Sequence, residues 1–190
     1  MSDPTRRQAA DLELLDAIRR GARADPPSVD AMGQVLPAPI EGVTLARVRP
    51  HEDARGGLVP FLDVRQPFWG EPVVYAYWIT VRPGRIKGWG MHRLQADRYF
   101  VARGSVRVVL FDGRESSSTS GRFAELYFTD ATPGLLRIPP GVWHADQNWG
   151  ETDALIVNFP THPYDPASPD KLRIDPHSGI IPFDWRLRDG

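Results

Sequence analysis

Two histidines stand out because each follows a run of turn-forming residues. His92 ends Gly84-Arg-Ile-Lys-Gly-Trp-Gly-Met-His92, and His144 ends Ile138-Pro-Pro-Gly-Val-Trp-His144. A neutral imidazole, with an ordinary pKa of about 6.5, can ligate a metal or lift a proton from carbon next to a ketone. The metal reading needs further ligands. On a strand, alternation puts residues i and i+2 on one face, so a ligand pair starting at His92 would need position 94. Leu94 stands there, and the place for a following carboxylate falls near Arg98, a poor neighbour for a cation. The absence of cysteine removes thiolate ligands, cysteine nucleophiles and disulfides together. No metal or other cofactor is therefore expected. Proton transfer asks for less: a base on one face of the substrate, an acid on the other, and a cation or hydrogen-bond donor near the enolate oxygen. His92 is the candidate base, with Arg98 and His144 as candidates for the oxygen. Each histidine also has a plainer reading, His92 as a core residue bonded to a backbone carbonyl and His144 as a turn stabiliser.

These side chains must be held by strands. From Gly42 onward, short runs rich in branched and aromatic residues follow one another: Val43–Val48, Val73–Val81, Arg98–Val101, Ser105–Phe111, Phe123–Phe128, Leu135–Ile138 and Ala154–Phe159. Turns such as Asp112-Gly113 and Pro133-Gly134 separate them, and no helices alternate with them, so an all-β sandwich or jelly roll is expected. The one helix signal is at the start. Asp3 can cap it, Pro4 suits its first position, and Ala9, Leu12, Leu15 and Ile18 recur at helical spacing. Residues 1–38, helix plus proline-rich linker, are expected to form an appendage to a domain over 39–190. The tail after Thr161 is irregular, yet Tyr164, Phe183 and Trp185 give it apolar surface to pack.

Composition narrows the function classes. At 190 residues the chain has room for one well-buried domain. The 23 basic and 24 acidic residues nearly cancel and form no basic stripe, which argues against a nucleic-acid partner. No apolar run approaches the roughly 20 residues of a membrane span. The start lacks the basic-then-apolar layout of a secretory signal, so the cytoplasm is the expected compartment.

Read in order, Asp53-x-Arg55-Gly56, the His92 stretch, Gly104-x-Val106, Asp112-x-Arg114-x-Ser-Ser-x-Thr119-x-Gly121, Ile138-Pro-x-Gly141-x-x-His144, Tyr164-x-Pro166 and Ile181-Pro-x-x-Trp185 resemble the dTDP-4-dehydrorhamnose 3,5-epimerase family over about residues 40–185. The resemblance implies a cupin jelly roll, here with the N-terminal α-helix added, working without metal as a homodimer that exchanges strands. It implies that His92 matches the family's base, Arg55 its diphosphate-binding arginine, His144 a histidine of the sugar site, and Tyr164 an aromatic of the pocket. Departures are as informative. Asn158 occupies the place of the family's acidic tyrosine, Lys87 is the nearest cation to the displaced arginine before the base, Asp97 stands where a lysine is common, and the carboxylate that orients the base has no clear counterpart.

The expected function is thus a nucleotide-sugar epimerase or isomerase acting next to the keto group of a dTDP-type 4-keto sugar. His92 would be the base, with Arg55 and either Lys87 or Arg98 on the phosphates, and His144, Asn158 and Tyr164 lining the site. A single-carbon reaction is favoured over a double one, because asparagine can hydrogen-bond an oxygen but cannot deliver a proton as a phenol does. A non-catalytic carbohydrate-binding cupin that kept the pocket and lost the acid is the alternative. A metal cupin with an unusual ligand set is the third.

Overall fold

The computed structural model describes residues 40–187 together with Glu13, Asp16, Arg20 and Gly21. The expected N-terminal helix and linker otherwise lie outside the described residues. Twelve strands follow in order: β1 (Thr44–Arg47), β2 (His51–Asp53), β3 (Gly56–Leu58), β4 (Tyr77–Val81), β5 (Ile86–His92), β6 (Asp97–Arg103), β7 (Val106–Asp112), β8 (Phe123–Phe128), β9 (Gly134–Ile138), β10 (Val142–Asn148), β11 (Ala154–Asn158) and β12 (Lys171–Arg173). Two antiparallel five-stranded sheets, β1-β9-β6-β11-β4 and β12-β5-β10-β7-β8, make the jelly roll, and β2-β3 forms a separate hairpin. The all-β jelly roll is as expected from the short strands. β2, β3 and β12 are shorter than periodicity can reveal, at three residues each.

The core follows from alternation. Val81, Tyr99, Val101, Val106, Val108, Leu110, Leu136, Ile138, Val142 and Ile156 form one buried cluster. The residues between them in sequence serve the outer faces. Phe100 and Leu135 pack with Trp69 and Phe159 in a second cluster. Trp89, Val109 and Ala145 pack with Ile181 in a third, which the C-terminal tail covers with Phe183 and Trp185. The ring of Trp185 lies 5.2 Å from that of Trp89, and the buried Arg107 donates to the Trp185 carbonyl at 2.7 Å. The proline-rich tail therefore packs, through aromatic burial of the kind that dominates core energetics.

The Asp112 motif is structural. Its carboxylate accepts from Arg114 Nε at 2.8 Å and from the Ser117 and Thr119 hydroxyls at 2.6 Å each, so it pins the β7–β8 loop. The Arg114 guanidinium beside it holds the Asp112 carboxyl well below the usual carboxylate range.

Arg98 is placed otherwise than the sequence suggested. It neighbours Asp97 on β6, so alternation turns it to the opposite face, over the ring of Trp69 at 5.3 Å. Its guanidinium donates to the carbonyls of Phe159 (2.8 Å), Glu71 (2.7 Å) and Pro72 (2.9 Å). It ties the segment before β4 to the sheet. Arg98→Met is expected to lower folding stability by about 3 kcal/mol or more, since three acceptors lose a charged donor. Denaturant unfolding checks this. A raised KM with an unchanged unfolding midpoint would return Arg98 to the phosphates.

Candidate active site

At one end of the sandwich the inward-facing positions change from apolar to titratable. Asp97 precedes Tyr99 on the inner face of β6, Asn158 follows Ile156 on β11, Tyr77 precedes Ile79 on β4, and His144 and Asp146 follow Val142 on β10. The alternation that builds the core thus lines a cavity of about 1010 Å³ at its open end. Its walls include Tyr77, Lys87, Gly90, His92, His144, Asp146, Asp170 and Lys171, with Tyr164 at the exposed rim.

β5 supplies one wall by an irregularity. His144 pairs with Gly90 but Asp146 pairs with Lys87, so β5 spends one residue more than β10 over this interval. Such a bulge shifts the parity of the strand, and both Lys87 and the Gly90/His92 pair reach the cavity. Gly88 sits at the bulge with φ +157, where an added Cβ would overlap Ala145.

His92 is 7% exposed and held from two sides. Nδ1 faces Asp170 Oδ2 at 3.6 Å, and Nε2 lies 3.4 Å from Gln95 Nε2 and 3.5 Å from Asp97 Oδ2. The carboxylate at Nδ1 and the Gln95 amide at Nε2 suit the tautomer with its proton on Nδ1, whose Nε2 lone pair accepts from Gln95, while the Asp97 carboxylate also approaches Nε2. Burial lowers the pKa of His92, partly offset by Asp97, so the ring is neutral at neutral pH. Asp170 is itself fixed by the backbone N–H groups of Arg93, Leu94 and Gln95 at 3.1–3.2 Å. Burial opposes its ionisation, but these donors outweigh it and hold the carboxyl below its ordinary value. The sequence named no carboxylate to orient His92, and Asp170 is the one the fold brings to its Nδ1. Its only signal in the chain is the aspartate before a three-residue strand.

Lys171, also missed, comes from that strand. The ladder sets Lys171 opposite His92 and Arg173 opposite Gly90. A Cβ on Gly90 would lie 3.0 Å from Lys171 Nζ and 3.4 Å from His144 Nε2, so the missing side chain of Gly90 is what lets the ammonium lie beside His144. Burial pulls the lysine pKa down against Asp97 and Asp146. Burial likewise pushes His144 down and raises Asp146 to about 7. The position expected to carry a cation, 97, holds a carboxylate, and the cation arrives from β12.

Asp97 Oδ2 stands 3.4 Å from His144 Nε2 as well as 3.5 Å from His92 Nε2, and these three atoms lie within 4.8 Å of one another. Such a set could hold a metal, and the carboxylate it needs comes one residue before the place the sequence suggested. The same atoms also suit a shared proton, and Lys171 already supplies positive charge beside them.

The structure brings His92, Lys87, His144 and Tyr164 to one cavity. Asn158 lies just behind the wall, fully buried, bonded to Tyr77 and Asp97. Arg98 is on the far face of its sheet, as above. Arg55 does not line this cavity. It sits at the exposed turn between β2 and β3, pairing with Asp53 at 2.6 Å, a surface contact of little energetic weight.

No family model matches the chain. Among curated proteins it is 36% identical over 146 residues to the spore coat polysaccharide biosynthesis protein SpsL of Bacillus subtilis, covering 77% of this chain and 96% of that one. It is 30% identical over 150 residues to the probable low-salt glycan biosynthesis epimerase Agl13 of Haloferax volcanii, covering 77% and 94%. Among solved structures, a dTDP sugar isomerase from Desulfovibrio desulfuricans G20 superposes with a TM-score of 0.72 at 33% identity, over 80% of this chain and 95% of the other.

Proposed function

The chain belongs to the dTDP-4-dehydrorhamnose 3,5-epimerase family of nucleotide-sugar isomerases, and from that premise we propose that it moves a proton at a carbon next to the ketone of a dTDP-linked 4-keto sugar, with His92 as the base. The observation that carries the mechanism is His92 itself, lining the cavity with its Nδ1 turned to Asp170. Loss of the C–H proton to Nε2 leaves an enolate. Asp170 and Asp97 then face an imidazolium, which they stabilise. Lys171, across the ladder from His92, supports the enolate oxygen, where a fixed charge in a water-poor site acts strongly. His144, kept neutral by burial, adds a hydrogen-bonding edge to the sugar site. Both half-reactions are proton transfers and need no cofactor.

Lys87 and Arg173 line the same cavity and are suited to the diphosphate, with Tyr164 at the rim for the base or sugar. Arg55 enters this scheme through a second copy of the chain. Its hairpin is exposed and apart from the chain's own cavity, and in the strand-exchanging homodimer that the resemblance implies we assign Arg55 to the partner's site. Residues 1–38 are an appendage to the 39–190 domain in this proposal, and the absence of cysteine supports a reducing, cytoplasmic setting. Among the described residues no helix is long and apolar enough to cross a membrane.

The test is hydrogen exchange. In deuterated water with a dTDP-linked 4-keto sugar, the protein should place deuterium on a carbon next to the ketone. Exchange no faster than the uncatalysed rate would sink the proposal.

A further inference from the structure

Asn158 removes the family's tyrosine from β11, yet a phenol still stands at that spot. Asn158 pairs with Tyr77 across the β11–β4 ladder, and its Nδ2 donates to the Tyr77 hydroxyl oxygen at 2.8 Å. The amide orientation is fixed by its other bonds. Asn158 Oδ1 accepts the Arg98 backbone N–H at 3.0 Å, and the second Nδ2 hydrogen goes to Asp97 Oδ1 at 2.8 Å. With the amide held this way, the phenol oxygen can only accept from it, so the phenol's own hydrogen is left to point elsewhere. Tyr77 lines the cavity from the first sheet, whereas His92 lines it from the second. A base and an acid on facing walls are what inversion at one carbon requires.

We propose that Tyr77 is the catalytic acid of this protein, relocated by one strand, with Asn158 as the residue that aims it. The inference rests on the epimerase proposal above. The C–H bond breaks on the His92 side, its proton goes to Nε2, and the electron pair moves to the ketone oxygen. The Tyr77 O–H bond then breaks as a new C–H bond forms on the opposite face. The phenolate is held by the hydrogen bond that Asn158 Nδ2 donates, the tyrosine regains a proton from water, and the imidazolium loses one to water. One stereocentre is inverted and no proton is unaccounted for. Burial pushes the Tyr77 pKa up to about 12, so the phenol keeps its proton until the enolate forms.

The experiment compares wild type with Tyr77→Phe on a dTDP-linked 4-keto sugar in deuterated water, following both deuterium entry and epimer by NMR. Loss of at least about 100-fold in epimer formation is expected, with deuterium still entering on the original face because His92 still removes and returns the proton. Retained exchange also shows that the variant is folded. Epimer formed by Tyr77→Phe at the wild-type rate overturns the role of Tyr77 alone. Loss of exchange together with epimer also overturns it, since the phenol would then act at or before proton removal. Absence of exchange in wild type overturns the epimerase proposal itself.

Discussion

His92→Ala is expected to abolish solvent exchange at the substrate carbon, by on the order of 10³-fold, while the protein stays folded. The expectation comes from the ring's surroundings. Asp170 stands at Nδ1, three backbone donors hold Asp170, and the ring lines the cavity. Among the described cavity residues His144 is the other buried imidazole, with its Nδ1 on the Val142 carbonyl at 3.3 Å and its Nε2 3.4 Å from Asp97, but burial pulls its pKa down to about 4, which makes it a weak base. It is therefore a poor substitute base. The pH profile gives a second check. Since burial holds His92 below about 6.5, the unprotonated base persists as pH falls through 6.5, and the acid limb of wild-type kcat/KM should lie below that value. Exchange by His92→Ala within tenfold of wild type would move the base elsewhere.

Lys171→Met should lower kcat by about 10²–10³-fold, the range seen when one preorganised oxyanion donor is removed. The substitution keeps the length and removes the charge. Lys171 sits opposite His92 on the ladder and over Gly90, next to His144. Its charge is balanced by Asp97 and Asp146, both buried. An ammonium so placed acts on an oxygen that becomes negative only in the reaction, so kcat should fall more than KM rises. A change confined to KM would instead assign Lys171 to ground-state binding, alongside Lys87 and Arg173. Steady-state kinetics on one nucleotide sugar separates the two results.

Why some of these residues were legible and others not has a plain cause. His92 and His144 announce themselves because glycine and proline turns mark where their strands begin and end, and a turn requirement is local. Tyr164 and Lys87, which line the cavity, were named by their place in ordered motifs. Arg98 was misplaced because position in a motif does not give parity: one residue from Asp97, it faces the other side of the sheet and is consumed by three carbonyls. Asp97 was noted as a departure without its meaning, which depends on two histidine rings meeting it from other strands.

The sequence by itself determined the all-β class and the family and pointed to His92 as the candidate base, since these follow from periodicity, turn chemistry and residues whose spacing survives in the chain. Only the tertiary structure decided which side chains surround that histidine. Asp170 and Lys171 lie nearly eighty residues from His92 and reach it through a three-residue β12 that no periodicity reveals. Tyr77 lies eighty-one residues from Asn158 and meets it only because β4 pairs with β11. Strand pairing is set by the burial of whole sheets, so the partners across a ladder are a property of the fold and are not written in either segment alone.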